Sequence, residues 1–248
     1  MNIKELFRKK EEQPVCSAVI VAAGSAQRMG TDKVMMELGC MPVLARTLLV
    51  FQGCAMIDEI IVVTRMDNVE AAAALCKKYG ISKASKVIRG GKTRMESALA
   101  GVSEVKSGAK LIAIHDGARP FVTDELICRT VLAASKYMSA VPVIYCTDTL
   151  KAVDAAGVIT GPLDRERTAR VQTPQIFDAD LIKGALSKAV ADALPLTDDC
   201  SAVEIMGVRT HTVPGDEDNN MLTTPRDLRI AGMILQDRGD YYEDRSRV

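Results

Sequence analysis

Five short, nearly continuous apolar runs, most of them separated by segments of helical period, restrict what this chain can fold into more than any other feature. The runs are residues 16–22 (CSAVIVA), 59–64 (EIIVVT), 86–88 (KVI), 110–115 (KLIAIH) and 140–146 (AVPVIYC). Between them lie 42–52, 67–79, 93–106 and 123–139, with apolar residues recurring at three- and four-residue spacing. Strands that are apolar on both sides need cover on both faces. The alternation therefore reads as α/β, a mostly parallel twisted sheet with crossover helices above and below. Two helix starts carry their own chemistry. Thr123-Asp124-Glu125 places a hydroxyl at an N-cap, and Thr224-Pro225-Arg226-Asp227 adds proline at the first helical position and a carboxylate at the third. Further helices are expected over 178–193, 198–206 and 225–235, with a short strand near 210–213.

With 248 residues the chain suits one large α/β domain, expected over 13–235, flanked by a charged segment (1–12) and a solvated tail (236–248). Residues 148–171 differ from the rest, being polar and punctuated by Gly and Pro, and read as a hairpin or arm outside the sheet. The 32 basic residues balance the 32 acidic ones, so nothing draws the chain as a whole to nucleic acid or to an acidic membrane surface. No apolar stretch reaches the ~20 residues of a membrane span. The N-terminal segment has no apolar core of a secretory signal, so a soluble, cytoplasmic protein is expected. Seven scattered cysteines (16, 40, 54, 76, 128, 146 and 200), none in a Cys-x-x-Cys pair, argue against a disulfide framework and a structural zinc site.

Ligands of open α/β sheets bind beyond the strand C-termini. The first run ends in Ala22-Ala23-Gly24-Ser25-Ala26-Gln27-Arg28-Met29-Gly30, a small-residue turn followed by two cations, Arg28 and Lys33. It lacks the second glycine of the dinucleotide fingerprint and the Gly-Lys-Ser/Thr of a Walker A loop. A tight turn or a phosphate cradle both remain open on these residues. The third run leads into Gly90-Gly91-Lys92-Thr93-Arg94-Met95-Glu96-Ser97, again a turn and N-cap or a nucleotide contact. The fourth ends in His115-Asp116-Gly117-Ala118-Arg119. There Asp116 could hold Mg2+ or simply pair with Arg119. His115 and His211 lack the partners of a His-based nucleophilic mechanism.

With these junctions stand the motifs DTLK (148–151), DRERTARVQTPQIF (164–177), TDDCSAVE (197–204) and DNNMLTTPRDL (218–228). Together they resemble the nucleotidyltransferase family that includes 2-C-methyl-D-erythritol 4-phosphate cytidylyltransferase, over about residues 15–235. The resemblance implies a Rossmann-like nucleotidyltransferase domain with a protruding β-arm. It implies CTP bound by Ala22, Ala23, Gly24, Ser25, Gly91, Lys92, Arg94 and Ser97, with Arg28 and Lys33 on the triphosphate and Asp116 on Mg2+. Arg119, Thr149, Arg165, Thr173 and Thr197 would bind a sugar-alcohol phosphate. Arg28, Lys33, Asp116 and Arg165 would be the catalytic set, and the arm would build a homodimer in which Thr149 and Arg165 complete the neighbour's site.

The chain departs from the family's pattern at three places. Ala26 stands for a loop glycine. The stretch between Arg28 and Lys33 is about two residues short, with Asp32 for a proline. Met221 replaces a lysine that meets the acceptor phosphate. One lost charged contact is worth about 2–4 kcal/mol of transition-state stabilisation. Lys92, Arg226 and Lys151 are the cations that could substitute. The alternatives are a different acceptor, such as ribitol 5-phosphate, or a nucleotide-binding protein without turnover.

Overall fold

A computed structural model of the chain describes residues 15–24 and 33–239. The expected segment 1–12, the tail beyond residue 239 and the loop residues Ser25, Ala26 and Arg28 lie outside the described residues. In chain order the elements are β1 (Cys16–Ala22), a small hairpin of β2 (Glu37–Leu38) and β3 (Met41–Pro42), α1 (Val43–Gly53), β4 (Ile57–Thr64), α2 (Val69–Lys78), β5 (Ala84–Arg89) and α3 (Arg94–Ser103). Then follow β6 (Leu111–Asp116), α4 (Asp124–Tyr137), β7 (Ser139–Tyr145), β8 (Leu150–Val153), β9 (Ile159–Leu163), β10 (Ala169–Val171) and β11 (Gln175–Asp178). The chain closes with α5 (Ala179–Ala191), α6 (Asp199–Ile205), β12 (His211–Pro214) and α7 (Pro225–Asp237).

The main sheet runs β10-β7-β11-β6-β1-β4-β5, with β12 added on β7. β6, β1, β4 and β5 are mutually parallel, so each connection between them must cross over a face, and helices cover both. Side chains of β1 alternate between two cores. Ala18, Ile20 and Ala22 join the layer under α1, α2 and α4, whereas Val19 and Val21 join the layer under α3, α5 and α6. α3 lies so close to the sheet that a Cβ on Gly101 would stand 2.2 Å from Val19 Cγ1 and 2.8 Å from Val63 Cγ2. A glycine there lets the helix carrying the third junction settle onto the strand carrying the first.

The mixed part of the sheet is where the sequence gives least warning. The sequence assigns residues 175–177 no element and starts a helix at 178, yet Gln175–Asp178 form β11, antiparallel to both β6 and β7. Only Ile176 and Phe177 are apolar in it, and a four-residue strand with a polar residue at each end has no periodicity to find. Its stability comes from complete burial of those two side chains. Ala140 of β7 pairs with Ile176 on one edge and His211 on the other, so β12 covers the side opposite β11. The hairpin of β8 and β9 forms a separate two-stranded sheet, after which Ala169–Val171 returns to pair with β7. At α7 the expected cap is present in full, with Thr224 and Asp227 exchanging side-chain-to-backbone bonds and Pro225 opening the helix.

Candidate active site

The chain builds β1, β4 and β5 toward one edge and then returns with β6 to the other side of β1. The crevice at this reversal, beyond the strand C-termini, is where an open α/β sheet can admit a ligand. A cleft of about 330 Å³ lies there, walled by Ala22, Ala23 and Gly24 after β1, by residues 91–94 and Ser97 between β5 and α3, by Asp116 and Ala118 after β6, and by Lys33 and Met221. Three junctions picked from sequence thus converge, although about 90 positions separate the first from the last.

The turn before α3 is ordered by its own side chains. Thr93 caps the helix by accepting from the Glu96 N–H at 3.1 Å, and Glu96 Oε2 accepts from the Lys92 N–H at 2.6 Å. Ser97 Oγ donates to the Thr93 carbonyl at 2.9 Å and accepts from the Gly91 N–H at 3.1 Å. The Ser97 hydroxyl has thus given away its only hydrogen and keeps one acceptor lone pair. A Cβ on Gly90 would stand 2.6 Å from Ala23 Cβ and 2.7 Å from Ser97 Oγ. Glycine here is what lets the first and third junctions touch.

Asp116 is 7% exposed and sits between two guanidinium groups. Arg94 Nε donates to its Oδ1 at 3.1 Å and Arg119 Nε to its Oδ2 at 3.3 Å. Burial alone would raise this carboxyl, but Arg94 and Arg119 together hold it below the usual carboxylate range. Arg94 also reaches across to Asp199, Nη1 to Oδ2 at 2.8 Å, an ion pair without hydrogen-bond alignment. Asp199 is 1% exposed, and burial pushes its carboxyl up despite Arg94. One guanidinium therefore spans two buried acids.

The main chain of Asp116 is fixed as firmly as its side chain. Its N–H donates to Thr173 Oγ1 at 3.2 Å, and Thr173 Oγ1 lies 3.0 Å from His115 Nδ1. His115 Nε2 faces the Arg119 carbonyl at 3.3 Å. A carbonyl only accepts, so Nε2 carries the hydrogen and the Thr173 hydroxyl donates to Nδ1. Burial pushes His115 down to about 4, so the ring is neutral and structural, as its lack of catalytic partners in the sequence suggested. Thr173 is 3% exposed with its hydroxyl engaged on both sides. In the structure it holds the Asp116 backbone, a contact additional to the acceptor role that the resemblance implied.

Arg119 is drawn further inward by Nη1 donating to the Asn219 carbonyl at 2.7 Å, and Asn219 Nδ2 donates to the Thr173 carbonyl at 2.8 Å. Thr149 and Thr197 are exposed, and Arg165 is exposed with Nη1 donating to the Thr147 carbonyl at 3.3 Å. None of these three lines the cleft of this single chain. Asp199 and Asn219 went unmarked in the sequence. The acid pair opening a helix in TDDCSAVE was the available signal for the first, whereas Asn219 works from within a loop and gave none.

The sequence profile described as 2-C-methyl-D-erythritol 4-phosphate cytidylyltransferase matches residues 16–237. A curated protein of that name from Halalkalibacterium halodurans is 41% identical over 224 residues, covering 90% of this chain and 97% of its own length. Another of the same name from Clostridium novyi is 38% identical over 222 residues, covering 88% and 96%. Among solved structures, the 4-diphosphocytidyl-2C-methyl-D-erythritol synthase of Anaerococcus prevotii superposes with a TM-score of 0.81 at 31% identity, covering 90% of this chain and 97% of that one.

Proposed function

Because the chain belongs to the 2-C-methyl-D-erythritol 4-phosphate cytidylyltransferase family, we propose that it transfers CMP from CTP to 2-C-methyl-D-erythritol 4-phosphate. The products are 4-diphosphocytidyl-2-C-methyl-D-erythritol and pyrophosphate, a step of isoprenoid precursor synthesis by the non-mevalonate route. The observation that carries this reading is the convergence of Ala22–Gly24, Gly91–Arg94 with Ser97, and Asp116 on one cleft.

The residues suit the reaction. Small side chains at Ala22, Ala23 and Gly24 allow a nucleotide close to the backbone, and Ser97 Oγ can accept only from a donor such as the exocyclic amine of cytosine. Lys33, Lys92 and Arg94 supply positive charge along the cleft for the triphosphate. An oxygen of the acceptor phosphate attacks the α-phosphorus in line. The bond to the β-phosphate oxygen breaks, and pyrophosphate leaves with the electron pair. The nucleophile is anionic at neutral pH, so no general base is needed, in keeping with the neutral, buried His115. Positioning and charge neutralisation carry the step.

Mg2+ is part of the proposal, and the residues fit it. Asp116 is the one carboxylate on the cleft wall among the described residues, and each oxygen keeps a lone pair beside its guanidinium partner. One carboxylate plus substrate phosphates is an ordinary Mg2+ environment. When bound there, the ion would neutralise charge on the phosphates. Met221 puts a thioether on the cleft wall where the resemblance implies a lysine, and Lys33, Lys92 and Arg94 stand along the same cleft. Pyrophosphate release with CTP and Mg2+ is expected with 2-C-methyl-D-erythritol 4-phosphate and not with ribitol 5-phosphate. Release with the pentitol phosphate alone would reassign the acceptor, and CTP binding without release would favour a binder.

The proposal includes a homodimer working in the cytoplasm, without nucleic acid or membrane partners. The hairpin leaves Val153, Ile159 and Leu163 exposed, Ile159 at 62%, more apolar surface than a solvated hairpin of this size needs. No helix among the described residues is long and apolar enough to cross a membrane. If the arm brings Thr149 and Arg165 to a neighbour's cleft, mixing Arg165→Ala with Asp116→Ala chains should restore up to about a quarter of wild-type turnover, the share of intact sites expected from random exchange into C2 pairs. No recovery after demonstrated subunit exchange would place the whole site within one chain.

A further inference from the structure

Away from the cleft, three side chains with metal-binding chemistry meet where α1 ends against α4. Cys54 follows the last turn of α1, its N–H donating to the Val50 carbonyl at 3.0 Å. Asp124 opens α4, and Cys128 stands one turn later on the same side of that helix. Cys54 Sγ and Cys128 Sγ are 3.9 Å apart, and Cys128 Sγ is 3.7 Å from Asp124 Oδ1. One donor atom from each of the three lies within 4.8 Å of the others. In the sequence 74 positions divide the two cysteines, which is why their spacing argued against zinc.

These separations are those of ligands sharing a tetrahedral ion. With Zn–S near ~2.3 Å and Zn–O near ~2.0 Å, two sulfurs stand about 3.8 Å apart and a sulfur and an oxygen about 3.5 Å. The donor set is suitable too, since two thiolates and a carboxylate select a thiophilic divalent ion over Mg2+. Two thiolates, one carboxylate and Zn2+ leave one net negative charge. Lys83 answers it locally, its Nζ donating to the Cys54 carbonyl at 2.7 Å. Cys54 is fully buried, Cys128 is half-buried and Asp124 is exposed, so the fourth position faces the solvent side.

We propose that Cys54, Asp124 and Cys128 form a zinc site with three protein ligands and a water, stapling the end of α1 to the first turns of α4. The staple would bear on the segment carrying Asp116, because Thr47 of α1 donates from Oγ1 to the Gly117 carbonyl at 3.0 Å and α4 begins shortly after that segment. It does not depend on the transferase reading.

The test strips the full-length chain with a chelator and titrates Zn2+ against a chromophoric competitor, with Cd2+ as a second probe. One equivalent of zinc per chain is expected, with affinity at least tenfold weaker in Cys128→Ser and in Asp124→Asn, and unchanged in a Cys40→Ser/Cys146→Ser chain. Cd2+ should give a thiolate charge-transfer band that halves in Cys128→Ser. Asp124 is exposed, so its variant keeps the test decisive if Cys128→Ser folds poorly. Binding that is absent, that ignores either variant, or that disappears in the Cys40→Ser/Cys146→Ser chain overturns the site. Formation of a Cys54–Cys128 disulfide in place of metal binding does so as well.

Discussion

Asp116→Ala is expected to reduce pyrophosphate release by at least about 10³-fold at saturating CTP, because it removes the one carboxylate on the cleft wall and leaves two guanidinium groups facing each other. Asp116→Asn is the sharper version. It keeps the shape and the Thr173 contact to the backbone while removing the charge, so turnover should fall similarly with the fold intact by thermal melting. Activity within tenfold of wild type in either variant would move the catalytic carboxylate elsewhere. The pH behaviour has a definite sign. Asp116 is held below the usual carboxylate range, so its charge and the stability it contributes are present above the unfolded value, about 3.9, and are lost as pH falls through the lower folded value. Loss of turnover with a midpoint well above pH 4 would therefore report the substrate phosphates and not this residue.

Arg94→Met is the other large effect, and it acts on stability as well as on turnover. Arg94 is the ion-pair partner of Asp199, which is 1% exposed, and one of two partners of Asp116. Removing it leaves one acid with no counter-charge and the other with Arg119 alone, a change costing about 3–5 kcal/mol for buried pairs. The deficit should shrink on acidification. Burial already pushes the Asp199 carboxyl up, and without Arg94 the folded chain holds that proton more tightly than the unfolded one, so stability falls as pH rises. The double variant Arg94→Met/Asp199→Leu, which removes both charges, should regain a good part of the loss while remaining inactive. Denaturant melts across the acid range decide it. A deficit that does not vary with pH would mean that Asp199 is not the group left exposed by the substitution.

The regular part of the fold was open to reading because local rules and burial agree there. β1 occupies the residues its apolar run marks, and both α4 and α7 start at the capping threonines that the sequence displays. Strands such as β11 exist only through their neighbours, so no local pattern announces them. The site divides along the same line. Residues at the ends of recognisable strands, Ala22–Gly24, Gly91–Arg94 with Ser97, and Asp116, could be placed together because the fold dictates where strand ends open a cleft. Asp199 could not, since its role depends on the first residue of α6 meeting the first residue of α3, and a sequence does not show that one arginine will bridge two acids. Thr173 was marked for the acceptor, and its hold on the Asp116 backbone was not foreseen. Its burial beside His115 is a product of β11 entering between β6 and β7. The Cys54–Cys128 approach was hidden for a related reason, two helices meeting at their ends.

The late position of Thr173 in the chain bears on how the protein is made. During synthesis the ribosome releases the cleft-lining turns after β1 and β5 first, and β1 can pair with β4 as soon as the latter emerges. Asp116 appears next, but the hydroxyl that receives its backbone N–H arrives only with residue 173, just ahead of β11, which pairs with both β6 and β7. A nascent chain stopped short of that point would own most of the cleft residues but lack the Thr173 contact to the Asp116 backbone. The seat of the Asp116 backbone is thus completed only when residue 173 has been made, well after the strand that carries the carboxylate.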